Sequence, residues 1–201
     1  MEDIAEKAAK NTSKSKEQLL ERWDGAPELV IEDIFRVRSL ETGQMEDLEL
    51  FDPYQTQLVN AYFYGGEKII NVYKGRRIGV SFIFCVCTLL DAMTNSDEFF
   101  PIVSNTKDQS KARISDIKKL IENAKIDIPL EKKNIGEIKL ENGSRFKAYA
   151  GNPNSSRGDD SAKTVFVDEM AFIEDQKKAM RTFMPFISLG GRSKMLQIST
   201  P

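Results

Sequence analysis

Apolar residues follow two rhythms along this chain, and the change between them comes near residue 68. Before it, helical patterns dominate. Residues 1–22 are charged and helix-prone, with Ser13 or Ser15 as a cap before KEQLLERW, and Pro27 opens a second helix, ELVIEDIFRVRS. A polar, acidic stretch separates Leu40 from Leu50, and Asp52-Pro53 then predicts a helix through Tyr64 that Gly65-Gly66 ends. After residue 68, short apolar runs alternate with longer helical ones. KIINVY (68–73) reads as a buried strand, KGRRIGVS as a loop and FIFCVCTLLDAM as an apolar helix. FPIVSN reads as a strand and KDQSKARISDIKKLIENA as a long amphipathic helix. EIKLE and SRFKAYA flank Asn142-Gly143, a hairpin signal because both residues accept the positive φ of a tight turn. GNPNSSRGDDS is loop-forming throughout, TVFVD is a short β-branched run, a helix is expected near 174–184, and KMLQIS is a last strand.

Strands alternating with helices predict an α/β fold, a mainly parallel sheet flanked by helices, with active residues at the strand C-termini. The expected division is a helical N-terminal appendage over residues 1–50 and one α/β domain over 51–201.

Composition removes several function classes. The chain has no histidine, so His-based catalysis and His-containing zinc sites are excluded. The longest apolar run, 78–90, is interrupted by Gly79, Ser81 and Thr88 and is too short and polar to span a bilayer. The start, MEDIAEKAAKN, has no apolar signal-peptide core, so an intracellular, soluble protein is expected. Cys85 and Cys87 sit in the apolar helix and read as buried core residues rather than a thiol pair. A net charge of −2 means that any nucleic-acid contact rests on a local basic surface or on several subunits around a ring.

Three segments carry chemistry. The first is Lys74-Gly75-Arg76-Arg77-Ile78-Gly79-Val80-Ser81, between a strand and an apolar helix. A phosphate loop needs inward N–H groups, a helix N-terminus behind them, a cation on the phosphates and a hydroxyl on Mg2+. Gly79 and Ser81 sit where GxxxxGK[ST] places its second glycine and its hydroxyl. Val80 holds the lysine position and Lys74 the first glycine position, so the strict motif fails. Lys74 enters the loop from its other end, and Arg76 or Arg77 can add charge. On this segment alone, a phosphate loop and an ordinary basic turn both stay open. The second segment is Val165-Phe166-Val167-Asp168-Glu169, an apolar strand delivering two carboxylates, the Walker B layout. Asp168 would hold the Mg2+ shell, and Glu169 would orient and deprotonate the attacking water. The third is Pro53-Tyr54-Gln55, whose amide can both donate to and accept from adenine while the ring stacks on it.

Taken in order with Asn142-Gly143-Ser144, Ala148-Tyr149-Ala150, Ser156-Arg157-Gly158, Met170-Ala171-Phe172-Ile173 and Ser199-Thr200-Pro201, these segments resemble the N-terminal ATPase of large terminase subunits from tailed phages. The resemblance runs from about residue 50 to the end. It implies a P-loop NTPase fold of the additional-strand (ASCE) type, with the Ser199 strand between the phosphate-loop and Walker B strands. It places adenine on Tyr54 and Gln55, and nucleotide on Lys74, Gly75, Gly79, Val80 and Ser81. Ser81 and Asp168 fall to the metal, and Glu169 to catalysis. Ser199 and Thr200 take the coupling of hydrolysis to motion. Some terminases carry the loop lysine at the loop's first position, as Lys74 is here. Arg157 lies near the nucleotide by the same resemblance and is the candidate arginine finger, with Arg76 or Arg77 as the alternatives. The implied ligands are ATP and Mg2+. The implied partners are double-stranded DNA, the capsid portal protein, the small terminase subunit and further copies in a ring, in the host cytoplasm. No nuclease-type carboxylate cluster accompanies Asp168 and Glu169, and the sequence stops after the coupling motif, so no DNA cleavage is expected of these residues. Two other readings stay open. One is a helicase-like nucleic-acid-dependent ATPase, although Met170-Ala171 follows Asp-Glu where such helicases have Ala and then Asp or His. The other is a degenerate nucleotide-binding module without hydrolysis, motivated by Val80.

Overall fold

The computed structural model describes residues 26–39, 41–51, 53–151, 161–188 and 193–200. The expected helix within 1–22, Asp52, the Arg157 loop over 152–160 and Pro201 lie outside the described residues. In chain order the elements are α1 (Pro27–Ile34), β1 (Arg36–Arg38), β2 (Met45–Asp47), α2 (Tyr54–Phe63), β3 (Ile69–Tyr73), α3 (Val80–Thr94), β4 (Phe99–Ser104) and α4 (Lys107–Asn123). Then come β5 (Leu130–Asn134), β6 (Glu137–Leu140), β7 (Arg145–Ala150), β8 (Thr164–Val167), a 3-10 turn (Met170–Phe172), α5 (Gln176–Ser188) and β9 (Lys194–Ser199).

A seven-stranded sheet runs β3-β9-β8-β4-β7-β6-β5. The strands from β3 to β7 are parallel, and β6 and β5 are added antiparallel at one edge. The fold is the expected one, a mostly parallel sheet flanked by helices, with β9 between β3 and β8. Both faces are covered, so the central strands β4 and β8 are buried at every position, as the continuous apolar runs FFPIVS and TVFV require. Alternation along β4 divides two cores. Phe100 and Ile102 pack with α3 and α4, whereas Phe99 and Val103 pack with Phe183 and Phe186 of α5. α3 is the central helix, with every residue over 83–93 buried, which is why its sequence is apolar all round. Cys85 and Cys87 are free, buried thiols there, and burial pushes both well up.

Several local expectations change. The helix expected over 28–39 stops at Ile34. Phe35 is extended and fully buried, and its carbonyl accepts from Leu48 N, so the chain turns into the β1–β2 hairpin instead. Val30, Ile31, Ile34, Phe35 and Leu48 share one core with α3. KIINVY, expected to be buried, is the edge strand β3, with Asn71 exposed and Tyr73 83% exposed. β5 was not expected at all. LEKKN is polar because it is the outer strand, where lysines discourage further pairing. The Asn142-Gly143 connection closes with Gly143 N donating to Leu140 O and Leu140 N to Ser144 O, Gly143 sitting at φ +86°. A Cβ there would meet Asp97 Oδ1 at 2.0 Å, so both backbone angle and space demand glycine. No helix among the described residues is long and apolar enough to cross a membrane.

Candidate active site

The parallel register brings three strand ends to one edge of the sheet. Tyr73 lies beside Ser199, and Val167 beside Gln197, so Lys74, Asp168 and Thr200 emerge together where α3 begins. Lys74 N donates to Ser199 O at 3.0 Å, which ties the first residue of the loop to the end of β9. The loop then turns through Arg77 at φ +62° and Gly79 at φ +78°, and Gly79 caps α3.

Val80 is 2% exposed and packs in the same core as Ile83 and Phe84, so its side chain serves the interior and not the loop. Lys74 is the lysine that reaches the site. Its side chain is only 9% exposed, and Nζ lies 3.0 Å from Glu169 Oε1. The other oxygen of Glu169 accepts from Thr200 N and Thr200 Oγ1, both at 3.0 Å. Burial alone would raise the Glu169 pKa, but the Lys74 and Thr200 hydrogen bonds outweigh it, and the net shift is downward. Its backbone is left-handed, φ +55° and ψ +52°, uncommon for a non-glycine residue.

Asp168 is buried one residue earlier. Ser81 Oγ donates to its Oδ1 at 2.8 Å, and Arg113 Nε lies 3.7 Å from Oδ2. Burial raises the Asp168 pKa, while Arg113 and the Ser81 bond oppose it. Ser199 Oγ accepts from Ala171 N at 3.1 Å, linking β9 to the turn after the carboxylates.

These side chains line a cleft of about 450 Å3 that includes Lys74, Arg77, Gly79, Ser81, Asp168 and Glu169. Arg77 is exposed within the lining, whereas Arg76 is exposed and outside it. Gly75 is exposed in the loop, where a Cβ would make an ordinary contact with Ile78 Cγ2 at 3.9 Å. Tyr54 and Gln55 stand at the back of the loop rather than in the cleft lining. Tyr54 OH donates to Ile78 O at 2.8 Å, Gln55 Nε2 donates to Tyr54 OH at 3.2 Å, and Gln55 Oε1 accepts from Phe51 N at 3.1 Å. A Cβ on Gly79 would lie 3.1 Å from Gln55 Nε2. Sequence reasoning missed Ser104, Gln109 and Arg113, which also line the cleft. Thr106 and Gln109 form a capping box at the start of α4, and the T-x-x-Q spacing signals it. Nothing in the spacing of Arg113 marks it, because a basic residue on an amphipathic helix reads as solvated. A second cavity, of about 520 Å3 between β3, β9 and α5, is lined by Tyr73, Met170, Met180 and Arg181, with no carboxylate among the described lining residues.

The family described as "Terminase large subunit, T4likevirus-type, N-terminal" matches residues 71–201. Among solved structures, the large terminase of bacteriophage HK97 superposes with a TM-score of 0.69 at 14% identity, over 84% of this chain and 36% of that one. The ATPase domain of the Thermus phage P74-26 large terminase gives 0.53 at 21% identity, over 75% and 66% respectively. A large terminase from a thermophilic bacteriophage, in complex with ADP, gives 0.60 at 16% identity, over 74% and 39%. The chain thus spans just over a third of the HK97 protein. At these identities the three structures speak to the fold.

Proposed function

Since the chain belongs to the T4-like large terminase N-terminal family, we propose that it is an ATPase that binds Mg2+ and ATP and whose hydrolysis moves double-stranded DNA into a procapsid. The observation that carries this reading is the pair of carboxylates in one cleft with different partners. Asp168 meets the Ser81 hydroxyl, and Glu169 meets Lys74 and Thr200. The ADP in a terminase of the same fold supports a nucleotide here.

The Ser81 and Asp168 oxygens fit Mg2+, a hard cation that takes one or two protein oxygens and completes its shell with water and phosphate. When bound, the cation neutralises charge on the phosphates. The loop's N–H groups at the start of α3 hold phosphate oxygens. Lys74 exchanges Glu169 for phosphate, and the released carboxylate accepts the proton of the attacking water. While Lys74 is paired with it, Glu169 is held ionised but is a weaker base, and loss of that ammonium to phosphate would return basicity to the carboxylate. Tyr54 and Gln55 support the loop from behind in this arrangement and contact adenine once nucleotide draws it in. Ser199 and Thr200 transmit the change along β9. Arg157 is the finger candidate, reaching a γ-phosphate when copies assemble as a ring on the portal, with the small terminase subunit delivering DNA in the host cytoplasm.

Turnover by the 201-residue chain, measured with and without duplex DNA and portal, tests this. Slow basal hydrolysis that rises on assembly and vanishes in Glu169→Gln, with nucleotide affinity kept, is the expected result. Stimulation by single-stranded nucleic acid alone favours a helicase-like enzyme. Binding without turnover under every condition favours the degenerate module.

A further inference from the structure

Arg113 occupies α4, the wall of the cleft that the sequence did not mark. Its Nη2 lies 3.2 Å from Asp116 Oδ2, one turn further along the helix, and its Nε faces Asp168 Oδ2 at 3.7 Å. Nε is buried and makes no hydrogen bond among the described residues. The two oxygens of Asp168 therefore have separate neighbours, a donating Ser81 hydroxyl on one side and a guanidinium on the other. A buried donor left unbonded calls for an account, and here it points at a carboxylate that must stay ionised and correctly turned. The fixed charge of arginine suits that task, since Nε stands beside one oxygen of Asp168 while Nη2 is anchored on Asp116.

Resting on the metal assignment above, we propose that Arg113 is a positioning residue for Asp168. The guanidinium stands beside Oδ2, which leaves Oδ1 directed at Ser81, where the cation would be held. Asp116 in turn orients Arg113, so a carboxylate–arginine–carboxylate chain runs from the surface of α4 to the metal site. In this proposal Arg113 acts through Asp168, with Nη2 held by Asp116 and Nε facing Asp168 Oδ2, and contact of Nη1 with phosphate is the alternative that the test below separates.

The test is titration of a fluorescent ATP analogue into the 201-residue chain, once with Mg2+ and once with EDTA. The wild type should bind more tightly with Mg2+. Arg113→Ala should lose about 10–100-fold of the Mg2+-dependent affinity, the usual effect of removing a residue behind a metal ligand. Its affinity in EDTA should stay at the wild-type level. Arg113→Lys should recover part of the loss, and Asp116→Asn should give a smaller loss of the same kind. If Arg113→Ala does not fold, as judged by circular dichroism, those two variants carry the test. An equal loss in Mg2+ and in EDTA overturns the proposal, because the guanidinium would then be touching the nucleotide itself. Unchanged binding in all variants overturns it too. A wild type that gains nothing from Mg2+ removes the metal assignment and this inference with it, whereas a normal wild type beside a normal Arg113→Ala removes the inference alone.

Discussion

Replacing Lys74 with alanine is the perturbation that separates a shifted phosphate-loop lysine from a basic turn. Lys74 is nearly buried, and its Nζ is fixed 3.0 Å from Glu169 Oε1. On binding nucleotide it exchanges one anion for another, so the gain is a difference and not the full strength of an ammonium–phosphate contact. A hydrogen bond between charged groups contributes about 1.5–3 kcal/mol net. Loss of that amount raises Kd by about 10–150-fold, at 1.4 kcal/mol per decade. The assay is fluorescence titration with Mg2+, with Arg38→Ala, an exposed cation on the β1–β2 hairpin, as the control for general charge loss. The control should bind as the wild type does. A Lys74→Ala protein that folds and binds nucleotide within about twofold of wild type, well under one decade, refutes the assignment.

Three further outcomes follow from the geometry. Val80→Lys should cost at least about 2 kcal/mol of stability, because it puts a longer, charged side chain into the core at Ile83 and Phe84; a thermal melt at the wild-type temperature would show that the site has room. Tyr62→Phe should cost about 1–3 kcal/mol in urea unfolding, since the buried Tyr62 hydroxyl donates to Asp91 Oδ2 at 2.7 Å and sits 3.0 Å from Thr164 Oγ1; an unchanged midpoint at unchanged slope counts against a structural role for that pair. The Glu169 pKa is lowered in the folded chain, so its stabilisation is complete above the ordinary glutamate range and is lost as pH falls through the folded value. Glu169→Gln should therefore flatten the acid limb of the stability–pH curve, and parallel limbs for the two proteins would contradict the shift.

How far the sequence can be read depends on what each residue's neighbours are. β4, β8, α3 and α4 were legible because burial on both faces writes a continuous apolar run, and burial on one face writes a period. The carboxylates of Asp168 and Glu169 were legible for the same reason, since they end such a run. β5 was not, because an outer antiparallel strand needs no apolar periodicity, and its lysines satisfy solvent and acidic neighbours alike. The end of α1 was misjudged since FRVR alternates for only four residues, and its conversion to a strand depends on pairing with 45–47, nine residues away. Edge placement of β3 depends on strand order, which KIINVY does not encode. Arg113 is invisible for a related reason. Its partner Asp168 lies 55 positions on and meets it only because β8 runs beside β4, against which α4 packs.

Lys74, the proposed phosphate-binding lysine, is held through both its backbone and its side chain. At Lys74 the backbone N–H is bonded to Ser199 O and the side chain to Glu169 Oε1, while Glu169 Oε2 is bonded to Thr200 N and Oγ1. Since Ser199 and Thr200 are adjacent, these contacts close a ring through the loop after β3, the Glu169 carboxylate and the end of β9. A lysine at residue 80 would start from the first turn of α3, whose backbone amide has no bond to β9, and could touch that ring only through its tip. At residue 74 the lysine is part of the ring at both ends. On the proposed function, an ammonium that leaves Glu169 for phosphate would leave the carboxylate with Thr200 N and Oγ1 as its partners. That exchange would be felt first at Thr200, and β9, packed between the edge strand β3 and β8, would carry it away from the site.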